Sequence, residues 1–194
     1  DVTLESAGSY RVVVSNPAGQ ATSGAADLRI SQPPAITGPV MVTVDEGKPL
    51  LLQPQIRGLQ PFTYSWRRNG NVTGTGAALE IPNATPADAG YYTLNVSNPD
   101  GSAAYAVQVV VAEAPRILTQ PASTTVGIGQ TAMLWVQATG YSPLTYSWTR
   151  NGELIPDAEG PTLIIPSVTA SHAGNYVVHI SNRVSSISSD AATL

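Results

Sequence analysis

The stretch that decides the fold is Asp88-Ala89-Gly90-Tyr91-Tyr92-Thr93-Leu94-Asn95-Val96-Ser97-Asn98. The same pattern occurs around Tyr10 and around Tyr176, and 82 residues separate Tyr10 from Tyr92 while 84 separate Tyr92 from Tyr176. A turn, a glycine and a tyrosine that enters an alternating strand are typical of a tyrosine corner, in which the phenol ties a loop to a β-sandwich. Such regular spacing predicts a tandem array of similar units.

Two tryptophan strands precede the second and third copies of this pattern. Thr63-Tyr64-Ser65-Trp66 and Thr145-Tyr146-Ser147-Trp148 alternate large and small side chains, as a strand with one buried face does. An Asn-Gly pair follows each strand and indicates a turn, since both residues tolerate positive φ. Each unit shows about seven short strands and no helical periodicity, which predicts an all-β sandwich.

Taken together, Glu46-Gly47, Trp66 and Asp88-x-Gly90-x-Tyr92 resemble the immunoglobulin superfamily, most nearly its I-set. The resemblance covers essentially the whole chain and implies tandem Greek-key sandwiches in an extended rod. It also implies a set of structural core residues, in which the carboxylate accepts backbone hydrogen bonds in the turn: Trp66, Trp148, Tyr10, Tyr92, Tyr176 and Asp88.

The family's inter-sheet disulfide has no counterpart here, because the chain contains no cysteine. The corresponding positions hold Pro54 and Leu94 in the second unit and Val136 and Val178 in the third. Apolar packing around the tryptophans must therefore replace a bond worth about 2–5 kcal/mol. Cysteine-free units of this kind resemble the Ig-like repeats of bacterial secreted and surface proteins. His172 stands where the family has Asp, which puts the turn's carboxylate hydrogen bond in doubt there.

We expect three segments: residues 1–31 as the C-terminal half of an Ig-like domain, and residues 32–112 and 113–194 as Ig-like domains. Residues 1–31 have the motif strand, a hairpin and a last strand but no tryptophan strand. We expect that this half belongs to a longer array, or alternatively that a neighbouring chain completes it. Short proline-containing linkers around Pro33 and Pro115 predict limited bending.

Composition excludes several classes of function. Charged residues make up 11% of the chain and the net charge is −4, which argues against nucleic-acid binding. No apolar run is long enough to span a membrane. With two histidines, no cysteine and no paired carboxylates shared by the units, we expect no metal, no cofactor and no catalytic site. The polar, weakly charged surface suits an extracellular or cell-surface protein.

Three side chains are candidates for a binding surface. If Leu134 and Val136 face the core, Met133 and Trp135 face outward, and Tyr91 faces outward beside the inward Tyr92. The alternative interpretation is that these aromatic residues are covered by neighbouring side chains or units.

The leading hypothesis is a non-enzymatic structural spacer of a bacterial surface protein or fibre, whose partners are other Ig-like repeats of the same or a neighbouring chain. The alternatives are an adhesion or carbohydrate-binding module that contacts a surface protein or glycan, and a fibre subunit completed by another chain.

Overall fold

The computed structural model describes residues 2–194, which contain 22 β-strands, three short 3-10 helices and no α-helix. The strands are β1 (Gly8–Tyr10), β2 (Val13–Asn16), β3 (Gly19–Thr22), β4 (Ala26–Leu28), β5 (Ala35–Thr37), β6 (Met41–Asp45), β7 (Leu50–Leu52), β8 (Gln55–Arg57), β9 (Thr63–Arg68), β10 (Asn71–Gly74), β11 (Leu79–Ile81), β12 (Gly90–Asn98), β13 (Gly101–Ala112), β14 (Arg116–Thr119), β15 (Ala132–Trp135), β16 (Gln137–Thr139), β17 (Thr145–Arg150), β18 (Glu153–Leu154), β19 (Thr162–Ile165), β20 (Asn175–Ser181), β21 (Ser186–Ser188) and β22 (Ala192–Thr193). The 3-10 helices are Leu4–Ser6, Pro86–Asp88 and Ala170–His172. The all-β prediction is confirmed.

The chain divides into two compact units, each made of several stretches of sequence. The first comprises residues up to 40, 52–79 and 91–107, and the second comprises residues 41–51, 80–90 and 108–194. The domain boundaries expected from the repeats remain predictions. We therefore call residues 32–112 the middle repeat and residues 113–194 the third repeat only as stretches of sequence.

In the first unit, β9 pairs with β10 on one side and β12 on the other, both antiparallel. This register places Trp66 opposite Leu94, and both side chains are completely buried. The buried apolar residues of this unit are Pro34, Leu52, Pro54, Trp66, Leu79, Tyr92, Leu94, Val96 and Val107. Leucine therefore fills the position at which the family places one half of its disulfide.

In the second unit, β17 pairs antiparallel with β20 and places Trp148 opposite Val178. The core around these two residues also contains Leu134, Val136, Leu163, Tyr176, Ile180 and Ala192. The C-terminal half of β13 pairs with β6 in parallel, from Gln108 beside Met41 to Ala112 beside Asp45. Here too, apolar side chains occupy the disulfide positions.

A serine interrupts the last strand of the third repeat. Ser189 is buried, accepts a hydrogen bond from the Val178 amide through its hydroxyl, and donates one to the Asp190 carbonyl. Ser23 repeats this arrangement with the amide of Val12. In the middle repeat, Tyr105 lies at the corresponding position, and burial raises the pKa of its phenol. There β13 runs unbroken for 12 residues.

The assignment of Tyr10 to the core is wrong. Its side chain is 54% exposed, and Val12 and Val14, which follow it in the motif, are more than half exposed as well. The other tyrosines of the motif, Tyr92 and Tyr176, are 1% exposed. The difference arises because β1–β4 form only two-stranded pairs within residues 2–194 and all of their residues are exposed, so no second layer covers the tyrosine there.

Candidate interaction surface

The tyrosine corners are built from local hydrogen bonds. The phenol of Tyr176 donates to the His172 carbonyl at 2.6 Å, and the phenol of Tyr10 donates to the Ser6 carbonyl at 2.7 Å. Both bonds span four residues and join a 3-10 helix to the strand that follows it. Tyr10 therefore forms its corner although it lies outside any core.

The last residue of each 3-10 helix accepts hydrogen bonds from a threonine at the helix start. The Asp88 carboxylate accepts from the Thr85 amide at 2.9 Å and from its hydroxyl at 2.7 Å. In the third repeat, the Thr169 amide donates to Nδ1 of His172 at 3.0 Å. An imidazole nitrogen thus replaces the carboxylate, which requires the neutral tautomer with its proton on Nε2.

We expect the His172→Asp substitution to stabilise the third repeat. The Asp88 carboxylate accepts from both the amide and the hydroxyl of Thr85, whereas the single lone pair of Nδ1 in His172 is taken up by the Thr169 amide. A carboxylate at this position has an acceptor for both groups, and the gain should be about 1 kcal/mol. Chemical denaturation measures it. The reciprocal Asp88→His change should destabilise the middle repeat by a similar amount, and equal denaturation midpoints for all variants would contradict this account.

Of the three surface candidates, two lie together. Met133 and Trp135 are on the same face of β15 and are 58% and 44% exposed. Tyr91 is 65% exposed on β12, but it belongs to the other compact unit. The structure therefore joins Met133 and Trp135 on one face and does not assign Tyr91 to it.

Ile164 is a member of this face that the sequence reasoning missed. It lies on β19 directly opposite Met133 and is 60% exposed, while Thr162 lies opposite Trp135. The alternation of buried Leu163 with Ile164 could have revealed it. We call Met133, Trp135 and Ile164 the β15–β19 face.

The linkers at both repeat starts are anchored by an asparagine at the end of the motif strand. In the third repeat, the Asn182 side-chain amide donates to the Glu113 carbonyl at 2.8 Å and to the Tyr141 carbonyl at 3.0 Å. Its oxygen accepts from the amides of Val184 and Ser185. One side chain thus joins linker, loop and hairpin.

Asn98 performs the same task in the middle repeat. Its amide donates to the carbonyls of Gln32 and Leu59 at 2.9 and 2.7 Å, and its oxygen accepts from the Asp100 amide. Gly58 permits the close approach, because φ is +131° and an added Cβ would lie 2.9 Å from the Pro33 carbonyl oxygen. The Ser-Asn ending of the motif strand is therefore a linker anchor.

Two ion pairs join the end of β6 and the residue that follows it to the third repeat, and all four residues belong to the second unit. Nη2 of Arg183 lies 2.8 Å from Oδ1 of Asp45, and Arg116 pairs with Glu46. Oε2 of Glu46 also accepts from the Ala114 amide at 3.0 Å. The carboxylates are only about a quarter exposed, so solvent screens these contacts less than at an open surface.

Within residues 2–194, no three or more His, Cys, Asp or Glu residues are grouped closely enough to hold a metal ion. Nor does the same range contain a helix of the length and apolarity that a membrane crossing demands. A groove of about 480 Å³ lies beside β18 and β19, lined mainly by Leu154, Ile155, Leu163 and Ile165, with Arg150 and Glu153 also in its wall.

The family follows from comparison with known proteins. Residues 33–98 and 114–182 match the immunoglobulin domain family, and the chain belongs to it. Mouse hemicentin-2 is 29% identical over 193 residues, covering 91% of this chain and 4% of that protein. The mouse basement membrane-specific heparan sulfate proteoglycan core protein is 29% identical over 193 residues, covering 88% of this chain and 5% of its own length. The chain thus spans a small part of these relatives.

The fold resembles a solved fragment of another multi-domain protein. The I-band fragment I67–I69 of titin superposes with a TM-score of 0.67 at 22% identity, covering 99% of this chain and 75% of that one. At this identity the likeness shows the fold, namely tandem immunoglobulin domains.

Proposed function

We propose that this chain is a non-catalytic structural segment of an extracellular protein, in which I-set-like repeats act as a spacer with fixed linkers. The observation that carries the proposal is the anchoring of both linkers. Asn98 and Asn182 each bind a linker carbonyl, and Glu46 binds the amide of Ala114. A linker held at several backbone groups transmits position and force better than a free one.

The composition and the relatives support an extracellular location for this spacer. A surface with few charges and many small polar residues suits an extracellular protein, and the name of one relative places that protein in basement membrane. Hemicentin-2 and the proteoglycan come from mouse. The cysteine-free cores support a bacterial surface protein or fibre, because Leu94 and Val178 occupy the disulfide positions.

We expect the Glu46→Ala substitution to loosen the linker. It removes the partner of Arg116 and the acceptor of the Ala114 amide. Loss of a charged, partly screened acceptor is worth about 1 kcal/mol, so exchange of the Ala114 amide should accelerate about fivefold. Hydrogen exchange and ¹⁵N relaxation at Ala114 measure this.

Glu159→Ala is the matched control, since it removes an exposed carboxylate of the third repeat away from the linker. Fast internal motion at Ala114 in the unmodified chain would contradict a fixed-linker spacer. Identical exchange in the two variants would show that Glu46 does not hold the linker.

Adhesion is a second candidate function, favoured by the β15–β19 face. Met133, Trp135 and Ile164 are large apolar side chains on one exposed sheet surface, and such clusters are commonly contact sites. An adhesive role requires that Trp135 become shielded from solvent when the partner binds.

A further inference from the structure

One edge of β19 carries backbone groups that no neighbouring strand uses within residues 2–194. β19 pairs only with β15, and the Val136 amide donates to the Pro161 carbonyl at the end of that ladder. Hydrogen-bonded and non-hydrogen-bonded pairs alternate in an antiparallel ladder, so Leu163 bonds to β15. The amide and carbonyl groups of Thr162 and Ile164 therefore point away from β15, to the open edge.

The side chains beside this edge are apolar in the third repeat but not in the middle one. Met133, Trp135 and Ile164 correspond by repeat alignment to Leu51, Gln53 and Glu80. Leu51 is 56% exposed and Met133 58%, so the two positions face solvent equally. These three positions thus hold one apolar, one polar and one charged side chain in the middle repeat, but three apolar side chains in the third repeat.

β19 lacks three features that commonly block pairing of an edge strand with another chain. Natural edge strands carry charges, bulges or internal prolines that prevent pairing with another chain. Glu80 supplies such a charge at the centre of β11, whereas Thr162–Ile165 has no charge, no bulge and no internal proline. The open edge is therefore competent for addition of a strand.

We propose that the β15–β19 face binds a second copy of this chain, with β19 pairing antiparallel to β19 of that copy around a two-fold axis at Leu163. In this register Thr162 lies opposite Ile164 of the other copy, and the free amides and carbonyls of both residues exchange hydrogen bonds. Met133 and Ile164 of both copies then form one continuous apolar surface. The inference names the partner for the adhesive candidate function and rests on that candidate.

Charge favours a second copy over a glycan or an unrelated protein. A two-fold axis brings like residues close together, so a charged edge repels itself while the uncharged β19 does not. In the β15–β19 ladder, the neighbours of Trp135 are Met133 on its own strand and Thr162 on the facing strand, and neither carries an amide or a carboxylate side chain. The three side chains of the face fall short of the ~800 Å² per partner of a stable dimer, so the contact is weak. Several such contacts along an array strengthen one another.

Trp135 offers a selective readout of this contact. Trp66 and Trp148 are completely buried, whereas Trp135 is 44% exposed, so a quencher such as acrylamide acts mainly on Trp135. Sedimentation velocity of the chain from about 10 μM to 1 mM should show reversible self-association at the upper end of this range, as a small interface predicts. Over the same range, acrylamide quenching of Trp135 should decrease.

The decisive variants are Ile164→Glu and Met133→Gln, with Leu51→Gln as the matched control. Glutamate is tolerated at the corresponding position of β11, where Glu80 lies, so Ile164→Glu should fold. Ile164→Glu should abolish the concentration dependence of both signals, Met133→Gln should weaken it at least severalfold, and Leu51→Gln should leave it unchanged.

Association that survives Ile164→Glu, or that leaves Trp135 quenching constant, would place the contact elsewhere and overturn the proposal. A chain that stays monomeric while an added glycan or another protein protects Trp135 would overturn the second copy as partner but keep the adhesive function. If neither a higher protein concentration nor an added partner protects Trp135 from quenching, both the second copy as partner and the adhesive function are contradicted. The spacer function is tested separately at Ala114.

Discussion

Replacement of Trp148 by alanine is expected to unfold the third repeat or leave it barely stable. The indole is completely buried at the centre of the core, opposite Val178, and its Nε1 donates to the Gly160 carbonyl at 2.9 Å. Truncation of a buried tryptophan typically costs about 3–5 kcal/mol. Since single domains have about 5–15 kcal/mol of stability and this one has no disulfide, most of the margin is lost.

Differential scanning calorimetry measures this effect, because separate transitions can be followed in a chain with several folded parts. Only one transition should move, since the core of the first unit around Trp66 is not altered. Trp135→Ala is the control, as it removes the same side chain from an exposed position and should change stability by less than about 1 kcal/mol. Equal shifts for the two variants would contradict the assignment of Trp148 as the core residue.

Replacement of Asn182 by alanine is expected to have the second largest effect. The part-buried side chain donates to the carbonyls of Glu113 and Tyr141 and accepts from the amides of Val184 and Ser185. Truncation removes four hydrogen bonds, three of them part-buried, with an expected cost of about 2–3 kcal/mol. The transition of the third repeat should shift, and the amides of Val184 and Ser185 should exchange faster.

Asn16→Ala is the control within the same motif. Its oxygen accepts from the Ala18 amide, and the residue is exposed in the hairpin between β2 and β3. The Asn182→Asp variant distinguishes the acceptor role of the side chain from its donor role. The carboxylate can still accept from the amides of Val184 and Ser185, but it lacks the amide group that donates to the linker. We expect the stability of the Asn182→Asp variant to lie between that of Asn182→Ala and that of the native chain. A loss in Asn16→Ala as large as in Asn182→Ala would show that the linker contact is not the cause.

The sequence was most informative where a residue's environment is set by its own repeat. Trp66 and Trp148 lie on alternating strands with a recognisable turn behind them, and the structure buries both completely. Outward placement of Met133 and Trp135 also followed from strand alternation, since period-2 patterning needs no knowledge of the partner strand.

Prediction failed where the environment comes from elsewhere in the chain. Tyr10 has the same local motif as Tyr176 and makes the same corner hydrogen bond, yet it stays exposed because no second layer covers it. The anchoring role of Asn182 could not be foreseen, because its partner Glu113 lies 69 residues away in sequence. The alternation of Leu163 with Ile164 indicates that Ile164 faces outward, but its place beside Met133 depends on the pairing of β15 with β19, which the sequence does not show.

By itself, the amino-acid sequence determined the class of fold, the repeat, and the replacement of a disulfide by apolar packing. These properties depend on local patterns and composition, which are the same however distant segments of the chain pack together. Only the tertiary structure decided which tyrosines are buried, how the linkers are held and that the third repeat presents an uncharged edge beside Trp135. These properties depend on contacts between distant segments, and such contacts form only when the backbone brings together residues that the sequence keeps apart.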